Sequence, residues 1–167
     1  SDTVGAVTVS RGTISGAGTL TATSYSMTNS GTVSSNLAGS GTTTLTKTGA
    51  GNLILSGANS YTGLTDVQVG TLTYGANNVT ADGDNIKVSG GTLDIVNFND
   101  TVAGVKITSG NINSTTGVLT STSDFDIQGG TVSAILGGSV GLTKTTAGTT
   151  TLSGANTYTG ATTVTAG

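Results

Sequence analysis

The sequence predicts an all-β chain: a right-handed parallel β-helix (β-solenoid) of about eight coils of about 19–20 residues, forming one domain over residues 1–167. Three observations carry this. The composition favours strands and corners, glycines recur on a nearly fixed beat, and aliphatic residues keep one phase with that beat.

The composition comes first. Gly supplies 28 of the 167 residues, Thr and Ser are abundant, and Pro, Cys, His, Trp and Glu are absent. Long straight-chain helix formers are scarce while Thr, Val and Ile are common, so the local preference is for strand, with Gly and Asn supplying turns. A hydrophobic fraction of 34% is, taken alone, compatible with disorder. The arrangement of those residues argues for order.

A Gly followed by Thr or Asn falls at Gly12, Gly31, Gly51, Gly70, Gly91, Gly110, Gly130 and Gly148, with Gly167 opening a further coil. Two residues beyond each stand Ile14, Val33, Leu53, Leu72, Leu93, Ile112, Val132 and Thr150, all but the last aliphatic. These form a predicted inward column. A second column, Val67, Val88, Ile107, Ile127 and Val164, lies three residues before the next Gly and is joined by Ile86, Val105 and Phe125. Apolar–polar alternation within these pieces has the period of a strand. One phase held over eight repeats fits two or three short strands per coil, each pairing with its equivalent in the next coil at about 4.8 Å. The Gly positions suit corners that need positive φ or little bulk. The thrice-used Gly-Ala-Asn (57–59, 75–77 and 154–156) reads as another corner, its Asn tolerating the left-handed region.

A longer repeat overlays the beat. Residues 45–70 and 142–167 match at 17 of 26 positions without a gap, at an offset of 97, which is five coils. The phrase from Leu45 to Gly63, LTKTGAGNLILSGANSYTG, resembles the passenger-associated β-strand repeat of Gram-negative autotransporters, and its second copy runs from Leu142 to Gly160. In that family a Thr/Val strand and a Gly-Thr-Leu follow, matched here by Thr65 to Leu72. The resemblance covers roughly a third of the chain. It implies a secreted passenger forming a right-handed β-helix, carried across the outer membrane and displayed outside. The expectation is either a fragment of a longer rod, whose leader and exporting barrel lie elsewhere, or a unit that stacks on another copy.

Charge and residue types exclude other classes. A net charge of −3 with five scattered basic residues gives no nucleic-acid footprint. Without Cys there is no disulfide framework and no thiolate metal site. No apolar run is long enough to span a bilayer as a helix. With His, Cys and Glu absent, acid–base chemistry would fall to Asp, Lys, Arg and Tyr. Asp82 and Asp84 are the tightest acidic pair, with Asp124 and Asp126 second; coil phase places Asp84 and Asp124 in one column two coils apart. They read as solvated turn residues, so no catalytic, cofactor or metal site is assigned, and no cofactor is expected. A calcium site near Asp82/Asp84 is left open, although the distal Glu of a calcium loop is missing.

The expected function is non-catalytic and structural or adhesive, at a bacterial surface or in extracellular matrix. Its expected partners are further copies stacked end to end, or surface glycans and proteins. The alternatives are a glycan-binding or glycan-degrading β-helix and an ice-binding Thr array. The array, Thr13/Ser15, Thr32/Ser34, Thr71/Thr73, Thr131/Ser133 and Thr149/Thr151, is interrupted by Asn52/Ile54, Asp94 and Asn111/Asn113. Tyr25, Tyr61, Tyr74 and Tyr158 are candidate glycan contacts, with Tyr61 and Tyr158 assigned to repeat packing because they share a position in both copies.

Overall fold

A computed structural model describes residues 1–167, with strands joined by corners and no helix. After β1 (Asp2–Thr3), the first coil holds β2 (Ala6–Val9), β3 (Thr13–Ile14) and β4 (Thr19–Thr21). The second holds β5 (Ser24–Met27), β6 (Gly31–Val33) and β7 (Asn36–Ala38). The third and fourth have two strands each, β8 (Thr44–Lys47) with β9 (Asn52–Leu55), then β10 (Leu64–Val67) with β11 (Thr71–Tyr74). In the fifth, β12 (Asn85–Asp94) runs round a corner before β13 (Asp100–Val102), and in the sixth β14 (Gly104–Asn113) does the same before β15 (Val118–Ser121). The seventh has β16 (Phe125–Ile127), β17 (Gly130–Val132) and β18 (Ile135–Gly137). The eighth has β19 (Leu142–Lys144) and β20 (Thr150–Leu152), and β21 (Thr162–Val164) opens a ninth.

The strands stack in parallel ladders that make three faces of a tube. The first face runs β2-β5-β8-β10-β12-β14-β16-β19-β21 and the second β3-β6-β9-β11-β12-β14-β17-β20. The third is split into β1-β4-β7 and β13-β15-β18. The solenoid therefore has about nine coils, not eight. The glycine beat marks the corner between the first and second faces, and there is one fewer such corner than there are first-face strands.

Both predicted columns point inward. Val33, Leu53, Leu72, Leu93, Ile112 and Val132 are buried, as are Val67, Val88, Ile107 and Ile127, and the buried apolar residues form one continuous cluster. Val164 is 59% exposed because β21 has a neighbour on one side only. Two steps of the beat are out of phase. Leu55, not Leu53, lies opposite Val33, and Leu152, not Thr150, lies opposite Val132. Each is a two-residue slip, so the same side chains stay inside; a one-residue slip would have turned them out.

The corners explain several glycines. Gly130 has φ +95, and a Cβ there would sit 2.2 Å from the Gly110 carbonyl oxygen, so only Gly fits. Val96 has φ +53, a costly conformation for a β-branched residue. It is held from both sides. Its N–H donates to Asp94 Oδ1 at 2.9 Å, and its carbonyl accepts from the Ser114 hydroxyl and from the N–H and hydroxyl of Thr115.

Asn59 and Asn156 correct the reading of Gly-Ala-Asn as a left-handed corner, since neither has positive φ. Their side chains enter the third-face ladder instead. Asn59 Oδ1 accepts the Leu37 N–H at 2.8 Å while its Nδ2 donates to the carbonyls of Gly57 and Val79. Asn156 Oδ1 accepts the Leu136 N–H at 2.9 Å. A side-chain amide carries the same donor and acceptor as a peptide group, so it continues the ladder where no strand exists.

Candidate functional surface

The outer faces are built by the residues between the inward ones. On the first face the central row reads Thr8, Ser26 and Thr46, then Asp66, Lys87, Lys106 and Asp126, then Thr143 and Thr163. Four charges thus stack in consecutive coils, acid–base–base–acid. Lys87 Nζ lies 3.2 Å from Asp66 Oδ2, and Lys106 pairs with Asp126. Gln68 and Gln128 each donate to the carboxylate two residues before them. Partial burial works against ionisation of Asp126, but the bonds from Lys106 and Gln128 outweigh it and hold the carboxyl below its ordinary range. The two lysines sit in adjacent coils, a repulsive juxtaposition that the flanking carboxylates offset. The stripe is locally neutral, and it offers no basic track for a polyanion.

On the second face one outward row runs Asn52, Thr71, Thr92, Asn111, Thr131 and Thr151. Thr151, not Thr149, continues the row, because the register slip places Thr150 opposite Gly130. The neighbouring row contains Ile54 and Asp94 beside Thr73. Two side-chain bonds cross between coils on this face. Thr73 Oγ1 donates to Asn52 Oδ1 at 2.8 Å, and Asn111 Nδ2 donates to Thr92 Oγ1 at 3.4 Å. The Thr array is a mixed polar surface.

The acidic pairs come apart in three dimensions. Asp82 is exposed while Asp84 is fully buried, so the two point to opposite sides of the wall. Asp124 is exposed and its Oδ1 accepts the Gly141 N–H at 2.7 Å; it does not share the column of Asp84. Nowhere do three or more carboxylates converge. Among the tyrosines, Tyr25, Tyr61 and Tyr74 are inside the tube and cannot meet a glycan. Tyr25 and Tyr61 pack with ring centroids 5.9 Å apart, and Phe125 and Tyr158 do likewise.

The interior holds polar groups that the solvated-turn reading missed. Asp84, Asp100, Thr65, Thr80 and Lys47 are all buried. The alternation carried the signal. Asp84 precedes Ile86 by two residues, Asp100 precedes Val102, Thr65 precedes Val67, and Lys47 follows Leu45, each partner being inward. Lys47 turns its ammonium to the carbonyls of Gly49 and Val69, and burial pulls its pKa down.

The two long-repeat copies make matching bonds. Lys144 repeats Lys47, reaching the carbonyls of Thr146 and Ala166, each 97 residues beyond the acceptors of Lys47. Tyr158 bonds Thr162 at 2.7 Å as Tyr61 bonds Thr65 at 2.8 Å. Asn156 repeats Asn59 in the ladder. Gly57 and Gly154 are both required by close approach: a Cβ would lie 2.3 Å from the Ser35 oxygen and 2.2 Å from the Ala134 oxygen. The repeat is therefore a structural unit with its own corner clamp, hydroxyl pair and ladder insert.

The family model described as Passenger-associated-transport-repeat matches residues 45–73 and 142–167, the segments that share these bonds. The chain carries this repeat twice. A curated relative, "Adhesin BmaC autotransporter" from Brucella suis biovar 1 (strain 1330), is 45% identical over 76 residues, 44% of this chain. The chain spans 2% of that relative's length. No solved structure matches the chain.

Proposed function

We propose that this chain is a segment of a non-catalytic, adhesin-like rod, secreted and displayed on the outer surface of a Gram-negative bacterium. The observation that supports it best is the pair of passenger-associated repeats, each seated as a complete structural unit in an unbranched solenoid. The adhesin relative points the same way. The outer faces favour contact over chemistry, since their carboxylates are paired or isolated and their rows are Thr, Ser and Asn. Nine coils at about 4.8 Å give a rod of about 43 Å. Long faces of this kind would bind surface glycans or proteins by many weak contacts. The reading is tested by applying the purified chain to immobilised glycans and matrix proteins, and separately to soluble acidic and neutral polysaccharides. Saturable retention without release of reducing ends is the expected result. Release of reducing ends would replace it with the glycan-degrading reading.

Axial self-stacking is a second reading. The strands of the end coils here are paired on one side only, and a following coil, from the same polypeptide or from another copy, would cover them. Negative-stain electron microscopy distinguishes the two sources. Fibres with a repeat near one rod length mean stacking of copies, and dispersed short particles overturn that reading.

A further inference from the structure

Between β7 and β13 the third face has no strands, and side chains take over its hydrogen bonds. Asn59 does so in the third coil. In the next, the Thr80 N–H and hydroxyl both donate to Asp100 Oδ2, at 3.0 and 2.8 Å. Asp100 stands in register with Leu119 of β15, so a carboxylate fills an inward position that its neighbours fill with leucine. Asp84 closes the fourth coil, its carbonyl accepting the Ala103 N–H at 2.8 Å. One oxygen of its side chain, Oδ2, accepts from Thr65 Oγ1 at 2.7 Å. Because the Thr65 proton is used there, the Tyr61 hydroxyl, 2.8 Å from Thr65 Oγ1, must donate to it. The other oxygen, Asp84 Oδ1, is buried without a partner, as is the Tyr74 hydroxyl.

The two carboxyls are unequal. Burial raises the pKa of Asp100 as well, but three donors, counting the Thr101 N–H at 2.9 Å, work against that shift by favouring its charged form. Asp84 receives one side-chain donor and has a bare oxygen. The titratable groups that face it are Tyr61 and Tyr74, which burial keeps protonated, and Asp100, whose charge adds repulsion. Asp66, Lys87 and Lys106, from the strands that flank it, lie in the outward row. A lone ionised carboxylate in this tube lacks both a cation and a full set of donors, which is an expensive state.

We propose that Asp84 Oδ1 is a proton-binding site that locks this strand-poor joint: with the proton bound the coils around it are closed, and on its loss they open. Desolvation first, with the Asp100 charge adding to it, pushes the Asp84 carboxyl up to about 7 from 3.8. A folded-state pKa raised above the unfolded one means that the folded form binds the proton more tightly. The stabilisation is therefore complete below about 3.8 and is lost as pH rises through about 7. This joint lies inside the tube and is independent of what the outer faces bind.

The test is hydrogen exchange read peptide by peptide on the whole chain at pH 5 and pH 8.5, corrected for intrinsic rates. The joint, residues 57–103, is expected to lose at least about tenfold in protection at the higher pH, while residues 104–140 change much less. Asp84→Asn, which keeps the Thr65 acceptor and removes the titration, should abolish most of that difference and melt higher than the parent at pH 8.5. The exposed variant Asp124→Asn should keep it. Equal protection at both pH values in the parent, or an undiminished difference in a folded Asp84→Asn, would overturn the proposal. If Asp84→Asn does not fold, the parent's own profile decides: protection that rises with pH across this window is equally fatal.

Discussion

Asn59 and Asn156 occupy one position in two copies of a repeat and make the same bond, yet they differ in surroundings. Asn59 is buried between coils, and its amide meets three backbone groups; Asn156 is half-buried and serves one. Removing a partner from a buried polar group costs about 1–3 kcal/mol, and less where water can replace it. Asn59→Ala should therefore lower unfolding stability by about 2–3 kcal/mol and Asn156→Ala by under about 1 kcal/mol, as read by denaturant titration. Equal losses would show that the ladder insert does not act as described. The sequence marked these two as equivalent, and correctly so for their bonds. It could not mark their difference, because burial depends on which coils lie above and below. Lys47 teaches the same lesson: its inward place follows from alternation with Leu45, but a lysine is ordinarily assigned to solvent.

Single strands here are two to four residues long, apart from β12 and β14, and none could bury its apolar face alone. Stability comes from registered columns, so a column is the element to test. Leu72 lies between Leu53 and Leu93 with no exposed surface. Leu72→Asp places an unpaired charge there and should cost about 4 kcal/mol or more, lowering the circular dichroism melting midpoint steeply. Melting like the parent would mean that the column does not face inward. The slips at Leu55 and Leu152 show why the element scale was only partly legible. A two-residue shift preserves the apolar pattern, so the pattern records which residues are inside without recording which pair. Both slips fall in the long repeats, where the paired leucine lies eight positions after the inward lysine, Leu55 after Lys47 and Leu152 after Lys144.

At the scale of the whole molecule, each coil touches chiefly the coils next to it, so stability is a sum over neighbours. Deleting residues 1–23 removes the first coil and leaves the remaining eight coils, with the seven interfaces between them, largely intact. The shortened chain should keep its β-sheet signal and melt only a few degrees lower, whereas deleting the fifth coil, residues 85–103, should disrupt the stack because Asp100 and the long strand β12 join the two halves. A shortened chain that lost all β-structure would point to a single cooperative core in place of a nearest-neighbour stack.

The solenoid, its beat, its inward columns and the matched repeats were all legible in the residues alone, because stacking demands that equivalent residues recur at equivalent positions. Those are one-dimensional regularities. The places where regularity is broken emerged from the stacked coils: the missing third-face strands, the carboxyls turned into the tube at Asp84 and Asp100, and the neutral charge stripe from Asp66 to Asp126. The physical reason is that a side chain's cost or use depends on its neighbours in adjacent coils, about twenty residues away along the chain and about 4.8 Å away in space.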